Sequence, residues 1–458
     1  MRGVPCEVCL PKRATGAVEL RLHSIRPHRL GSPFQFSVTG QIRSNGRVWR
    51  TVRASRVFWK PGGRTMHWSP NLAEELLIGD PIDLTITTVL GGFRRLRQAA
   101  RTHVTFWITP NVHLRPEKFR ITSYTGKVTV RRKRCRRFTI GGVPLTFDHY
   151  FRYTSGEDGD DISFQEPVAA GWVARLADVP KLLTPLEDIL LLAGVAARQR
   201  AVCVGWEATD SSVNIRYYRR GRSIPPEKKD HGFNHVLIAP EDFSRFLRRA
   251  DRVFRTAPEQ ELLRQAMQRL VYDDSDDRNL GNSFMRLYGA VEALLLWYCR
   301  LHAGEFILPP KRFQRVAKAV RGAVRSAAGL TDTKASLVID KIPELNRVPF
   351  SSALRTFCTA YGVNLTDLWP LASDRAGSSL SIIRNRLVHG DTISDDEMSA
   401  LVLAHEHLRW TAERLILGVF GWPIERSRVH VGVAESIPNQ DVMQARQWLA
   451  HKWRRQAE

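Results

Sequence analysis

Within Ser381 to Asp391, SIIRNRLVHGD, an arginine, an amide and a histidine fall close together: Arg384, Asn385 and His389. This set suits cleavage of an RNA chain by internal attack of the ribose 2′-hydroxyl. Histidine exchanges protons near neutral pH. A fixed guanidinium stabilises the extra negative charge on phosphorus in the transition state, and a neighbouring amide can hold the imidazole or the phosphate. The chemistry requires no metal and no cofactor. On a helix, at about 100° per residue, Asn385 and His389 stand roughly 40° apart, whereas Arg384 and His389 stand roughly 140° apart. One helix therefore does not readily aim both groups at one atom. Either the long arginine swings across, or two protomers pool their motifs at a symmetric interface. Arg386, about 60° from His389, is a rival for the phosphate. Composition alone would scatter about two basic-x4-His pairs over such a chain. It holds two, Arg384/His389 and Arg446/His451, and only context separates them.

Other candidate chemistry is thinner. Cys6 and Cys9 form a CxxC followed by His23 and His28, a spacing that fits a Cys2His2 zinc site. The context opposes a finger: Pro27 precedes His28 where the finger's helix would carry both histidines. The alternation Val18, Leu20, Leu22 also reads as a strand running into His23. Metal binding by these four residues stays open. Asp273, Asp274, Asp276 and Asp277 lack the glycine and distal glutamate of an EF-hand loop, so a loop or helix start is expected there. The chain contains no P-loop, no GxSxG elbow and no HExxH helix.

Basic residues are denser. Clusters stand at Arg94, Arg95, Arg97 and Arg101, and at Arg131, Arg132, Lys133, Arg134, Arg136 and Arg137. A third comprises Arg216, Arg219, Arg220 and Arg222 beside Tyr217 and Tyr218. Lys plus Arg number 69 against 46 Asp plus Glu, a net charge of +23, which favours a polyanionic partner. Arg131, Arg132, Arg134, Arg216 and Arg219 are the expected RNA contacts, with the two tyrosines as stacking partners. Such contacts give affinity without sequence preference.

The elements that must position these groups divide the 458 residues in two. A single core stops growing at roughly 250–300 residues, so at least two domains are expected. A composition of 43% hydrophobic and 25% charged residues excludes wholesale disorder. The first part alternates like strands at Phe34, Phe36 and Val38, at Ile82, Leu84 and Ile86, at Val104 and Phe106, and at Val128 and Val130. A short helix over Leu186 to Arg198 precedes a hairpin, Ala201 to Trp206 with Val213 to Tyr218. Gly156 to Asp161, GEDGDD, reads as a surface loop. After about residue 240 the period becomes helical. Phe284, Leu287, Tyr288, Val291, Leu294, Leu295 and Tyr298 form one stripe, and a helix covers Lys311 to Ala328. Another starts at Ser394 as N-cap, with Asp395, Asp396 and Glu397 in its first turn, and is ended by Gly418, Gly421 and Pro423. The expected fold is therefore α+β. A β-rich basic module occupies 1–245, a helical bundle 250–425 and a C-terminal extension 426–458. Met1 to Ala14 has no apolar core, and no apolar run approaches the roughly 20 residues of a membrane span. Six scattered cysteines make no disulfide framework. No membrane association and a cytoplasmic location are expected.

Three segments carry a family resemblance: LYGAVEALLLWYCR (Leu287 to Arg300), IPELNRVPFSSALRTF (Ile342 to Phe357) and IRNRLVHGD (Ile383 to Asp391). In order and spacing, residues from about 255 to 425 resemble the HEPN domain of the ApeA-like group. The family's Arg-polar-x3-His signature maps onto Arg384, Asn385 and His389 without a gap. The resemblance implies an all-α HEPN bundle and a metal-independent endoribonuclease whose composite site needs two HEPN domains, hence a homodimer. It further implies an antiphage or toxin role, with the N-terminal module as sensor or regulator and a phage-derived activator as a possible partner. Glu292, interrupting its apolar helix, matches an acid often found in related HEPN helices and would orient Arg384. A HEPN bundle that only dimerises or holds RNA, and a basic DNA-binding regulator, are the competing expectations.

Overall fold

In a computed structural model the chain forms two compact units, Met1–His235 and Val236–Glu458. The residues described in the first are 6–9, 19–23, 35–44, 47–59, 65–69, 72–89, 101–114, 118–124, 127–133, 136–156, 159–210 and 213–219. In the second they are 236–271, 279–302, 304–327, 331–372, 378–390, 394–431 and 439–457.

The first unit is built on β1 (Cys6–Cys9), β2 (Glu19–His23), β3 (Gln35–Ser44), β4 (Arg47–Trp59), β5 (Thr65–Ser69), β6 (Leu72–Val89) and β7 (Thr102–Ile108). There follow β8 (Lys118–Tyr124), β9 (Lys127–Lys133), β10 (Arg136–Ile140), β11 (Val143–Gly156), β12 (Gly159–Val173), α1 (Leu183–Ala197), β13 (Cys203–Thr209) and β14 (Val213–Arg219). All pairings are antiparallel. The main sheet runs β1-β2-β6-β14-β13-β7-β12-β11-β10, with β4 and β5 also on β6 and β3 on β4; β8 and β9 pair separately. Alternation sets its buried face. Leu84 and Ile86 of β6 are buried opposite Ala54 and Val52 of β4. In β7, Val104 and Phe106 have no exposed surface, as a central strand of β-branched and aromatic residues should. The helix expected over Leu186 to Arg198 is α1, which packs on β13, and the hairpin after it is β13–β14. At Gly205 of that hairpin an added Cβ would stand 2.3 Å from the Tyr217 carbonyl oxygen, so the close approach of Trp107 and β14 requires glycine there.

The GEDGDD loop is shorter than expected. Gly156 pairs with Gly159, and Asp160 and Asp161 pair with Ser155 and Thr154 at the end of the long β11–β12 hairpin. Main-chain pairing uses backbone groups alone and does not depend on side-chain polarity.

The second unit contains α2 (Pro240–Thr256), α3 (Gln260–Val271), α4 (Leu280–Leu301), α5 (Pro310–Ser326), α6 (Asp332–Lys341), α7 (Phe350–Tyr361), α8 (Leu380–Val388), α9 (Met398–Val419) and α10 (Asn439–Ala457). It begins earlier than the expected join. Residues 236–245, assigned from sequence to the β-rich module, belong here because Phe246 of α2 packs edge-on against Phe420 and Trp422. Arg249 also donates to the Phe420 carbonyl at 3.0 Å, and Ile238 bridges Ser427. The 426–458 segment is likewise part of this unit. Val429 accepts from buried Arg414 of α9 at 2.7 Å, and α10 packs on α9. The central pair is α4 and α9, both buried along most of their length, with α3 and α7 also against α4. Asn279 caps α4 by accepting from the Gly281 N–H at 2.9 Å. Ser394 and Glu397 form the capping box that starts α9 through one short 3₁₀ turn, where the sequence placed the N-cap. Among the described residues no helix is long and apolar enough to cross a membrane.

Candidate active site at the end of α8

Helix α8 is anchored by Leu380 and Ile383, both essentially buried, and packs on α4. Its last turn leads into His389, the C-cap residue, whose N–H donates to the Asn385 carbonyl at 3.0 Å. Gly390 follows at φ +80°, the left-handed conformation that ends a helix with least strain in glycine. The His389 side chain is exposed at this helix end, and among the described residues nothing is hydrogen-bonded to its ring.

Arg384 is held in place. Its Nη2 donates to Glu292 Oε1 of α4 at 3.3 Å, and its Nη1 donates to Asn385 Oδ1 at 3.2 Å. Its guanidinium carbon lies 5.7 Å from the centre of the Tyr288 ring. Tyr288 and Glu292 are four residues apart on α4 and so share one face, giving Arg384 an aromatic floor and a carboxylate stop. About a third of the Arg384 side chain is exposed, enough to meet an incoming anion. The Tyr288 ring is buried and stacked on Phe350. Burial, reinforced by the Glu292 carboxylate, pushes its hydroxyl up to about 12, against the Arg384 charge and a hydrogen bond with Ser381. It is therefore a neutral platform at any physiological pH.

Asn385 is engaged with the arginine, its Oδ1 accepting from Arg384. Arg386, the rival for the phosphate, lies with its guanidinium 4.7 Å over the Trp453 ring of α10. The neighbouring Lys452 reaches Ser394 and Asp396 at 2.7 Å, and the Trp453 indole donates to Glu397 at 2.7 Å. Burial would raise the Glu397 carboxyl, but hydrogen bonds from Ser394 and Trp453 and the Lys452 charge hold it below the ordinary value. So α10 clamps α8 to the start of α9. Sequence reasoning singled out Arg384, Asn385, His389, Glu292 and Arg386 but neither Tyr288 as a platform nor Trp453. The i,i+4 spacing of Tyr288 and Glu292 was the signal for the first; no local pattern pointed to the second. Arg446, of the other basic-x4-His pair, is buried and donates to the Ser378 carbonyl at 3.3 Å.

In the first unit, Arg216 and Arg219 are engaged within the fold. Arg216 pairs with Glu207 at 3.1 Å, its cross-strand neighbour, and Arg219 with Glu187 of α1. Tyr217 stacks on Trp206, and Tyr218 is buried against Trp107. Tyr217 thus stacks on a protein ring, and Tyr218 lies tilted against another. Arg131 and Arg132 lie on β9, with their side chains outside the described residues; Arg134, Arg94, Arg95, Arg97, Arg220 and Arg222 lie outside them altogether. Asp273, Asp274, Asp276, Asp277 and His28 also lie outside. Cys6 and Cys9 stand at opposite ends of β1, paired with Leu22 and Glu19, about 10 Å apart by strand rise instead of in a metal-binding turn. Among the described residues no group of three His, Cys, Asp or Glu side chains converges as a metal site.

Compared with known proteins, the chain matches no family model, no curated protein and no solved structure.

Proposed function

We propose that the second unit is a HEPN-type, metal-independent endoribonuclease acting as a homodimer, and that the whole chain is a defence or toxin effector. The observation that carries this reading is the seating of Arg384 on Tyr288 and Glu292, in the helix that ends at the exposed His389. In the reaction, the ribose 2′-oxygen loses its proton and bonds to phosphorus. The P–O5′ bond breaks, and the leaving O5′ takes a proton. Products are a 2′,3′-cyclic phosphate and a 5′-hydroxyl. His389 moves protons, and Arg384 neutralises the charge on the phosphoryl oxygens. Asn385 and Glu292 fix the guanidinium, so little reorganisation is needed as charge develops. A second protomer supplies the complementary pair of groups that one helix does not aim at a single phosphorus.

The decisive experiment incubates purified protein with total RNA in EDTA beside His389→Ala. The expected outcome is cleavage with cyclic-phosphate ends by the wild type and loss of at least about a hundredfold in the variant. Equal cleavage by both would reject the assignment. RNA that is shifted intact by both would assign a binding role instead.

A further inference from the structure

Helix α5 is the most solvent-exposed long helix of the second unit, with Ala317 its one buried residue among those described. Its seventeen residues contain six cations and no acid. At about 100° per residue, Lys311, Arg315, Lys318, Arg321 and Arg325 fall within an arc of about 120°. All five are exposed, and among the described residues none has an acidic partner. Arg216 and Arg219 of the first unit, by contrast, are held in ion pairs with Glu207 and Glu187. Five like charges on one face repel one another, at a cost of tenths of a kcal/mol per adjacent pair. An exposed face so composed gains when a polyanion replaces its counter-ions.

The opposite face is already used. Phe313, Ala317, Val320 and Val324 lie on the far arc, away from full exposure, where α5 packs on α6 and on the 3₁₀ turn Ile342–Asn346. Exposed Val316 falls outside the basic arc. Beside the basic arc the exposed apolar residues are Ala319, Ala323 and Val316, interrupted by Arg312, so one large apolar side chain is on offer, far less than a membrane-surface helix needs. The span matters too. Lys311 to Arg325 covers about 21 Å of helix, long enough to follow several consecutive phosphates of one strand.

We propose that this face of α5 is a docking surface for the sugar–phosphate backbone of RNA, holding substrate without regard to sequence while the α8 site cuts it. The proposal rests on the endoribonuclease reading and adds where the substrate lies. Contact would be charge-based, so binding is steeply salt-dependent.

The test uses the full-length protein, a 2′-O-methylated RNA that cannot be cleaved, and vesicles containing phosphatidylserine. The combined variant K311Q/R315Q/K318Q/R321Q/R325Q is compared with wild type over a salt series. A second variant, K311R/K318R, keeps the charge and controls for the helix itself. Loss of five phosphate contacts should make the plot of log affinity against log salt shallower by about 3 to 4. Affinity at low salt should fall at least about a hundredfold, and the charge-preserving variant should bind like wild type. An unchanged slope in the fivefold variant, or wild-type binding to vesicles and not to RNA, would overturn the proposal. Cleavage of ordinary RNA by wild type, run in parallel, reports separately on the catalytic reading. If cleavage proceeds while the slope is unchanged, only the α5 surface is refuted.

Discussion

Arg384 illustrates how one side chain is aimed by others. It is held by Glu292, Asn385 and the Tyr288 ring, in the helix whose C-terminal end carries the exposed His389. Because the Arg384–Glu292 pair is partly solvated, its contribution to stability should be below about 1 kcal/mol. Its contribution to aim should be larger. Glu292→Gln is expected to lower the cleavage rate about tenfold, a loss of about 1.4 kcal/mol of transition-state stabilisation, with the melting temperature nearly unchanged. Rates and melts on one preparation check this; a matching fall in both would mean Glu292 serves the fold. The arginine, amide and histidine were legible because their side-chain chemistry is local, and Glu292 because an acid inside an apolar stripe asks for a partner. Tyr288 was read only as core, since an aromatic on that stripe looks the same whether or not a cation lies over it. The ring contacts of the tyrosines beside Arg216 were not legible, for a different reason. Their rings face Trp206 and Trp107, contacts that arise only once β13, β14 and β7 are in register.

At the scale of elements, α9 carries an unusual polar load for a buried helix. Arg414 is 1% exposed and is satisfied by both oxygens of Asp367 and by the carbonyls of Val429 and Asn364. Two turns earlier, His407 accepts from the Trp369 N–H at 3.1 Å through Nδ1, while its Nε2 is buried without a partner among the described residues. Burial lowers the ring to about 4, against the nearby Asp367 and Glu406 charges. The folded value is below the ordinary 6.5, so the stability owed to neutral His407 is complete above about pH 6.5 and is lost as pH falls towards 4. The loss should reach at most about 3 kcal/mol. Denaturant midpoints between those pH values should fall in the wild type and fall less in His407→Asn, which keeps an acceptor for Trp369. Parallel curves would show that His407 does not carry the effect. The α10 clamp gives a second expectation at this scale. Trp453→Ala removes both the Arg386 stack and the donor to Glu397, and should cost about 1–3 kcal/mol by denaturant unfolding. A shift under a few tenths would mean that α10 is not holding α8 and α9 together. Helices α4, α5 and α9 were legible from period and caps, whereas the membership of α10 and of residues 236–245 depends on contacts far away in sequence, such as Phe246 with Phe420.

For the whole molecule, the chain divides between His235 and Val236. Every contact described for Arg384, Asn385, Arg386 and Glu292 comes from residues of the second unit. If the β-rich unit senses a signal and restrains the nuclease, separating the two should release cutting without damaging it. A fragment starting at Val236 is therefore expected to melt cooperatively and to cleave RNA at least as fast as the full chain, and to be more toxic when expressed. Its toxicity should vanish with His389→Ala. The energetic ground is that α2 and the 426–431 segment, which close the bundle through Phe246, Trp422 and Arg426–Asp242, stay within the fragment. A fragment that folds but is inert would place part of the catalytic requirement in the first unit and turn the regulatory arrangement around, from restraint to activation.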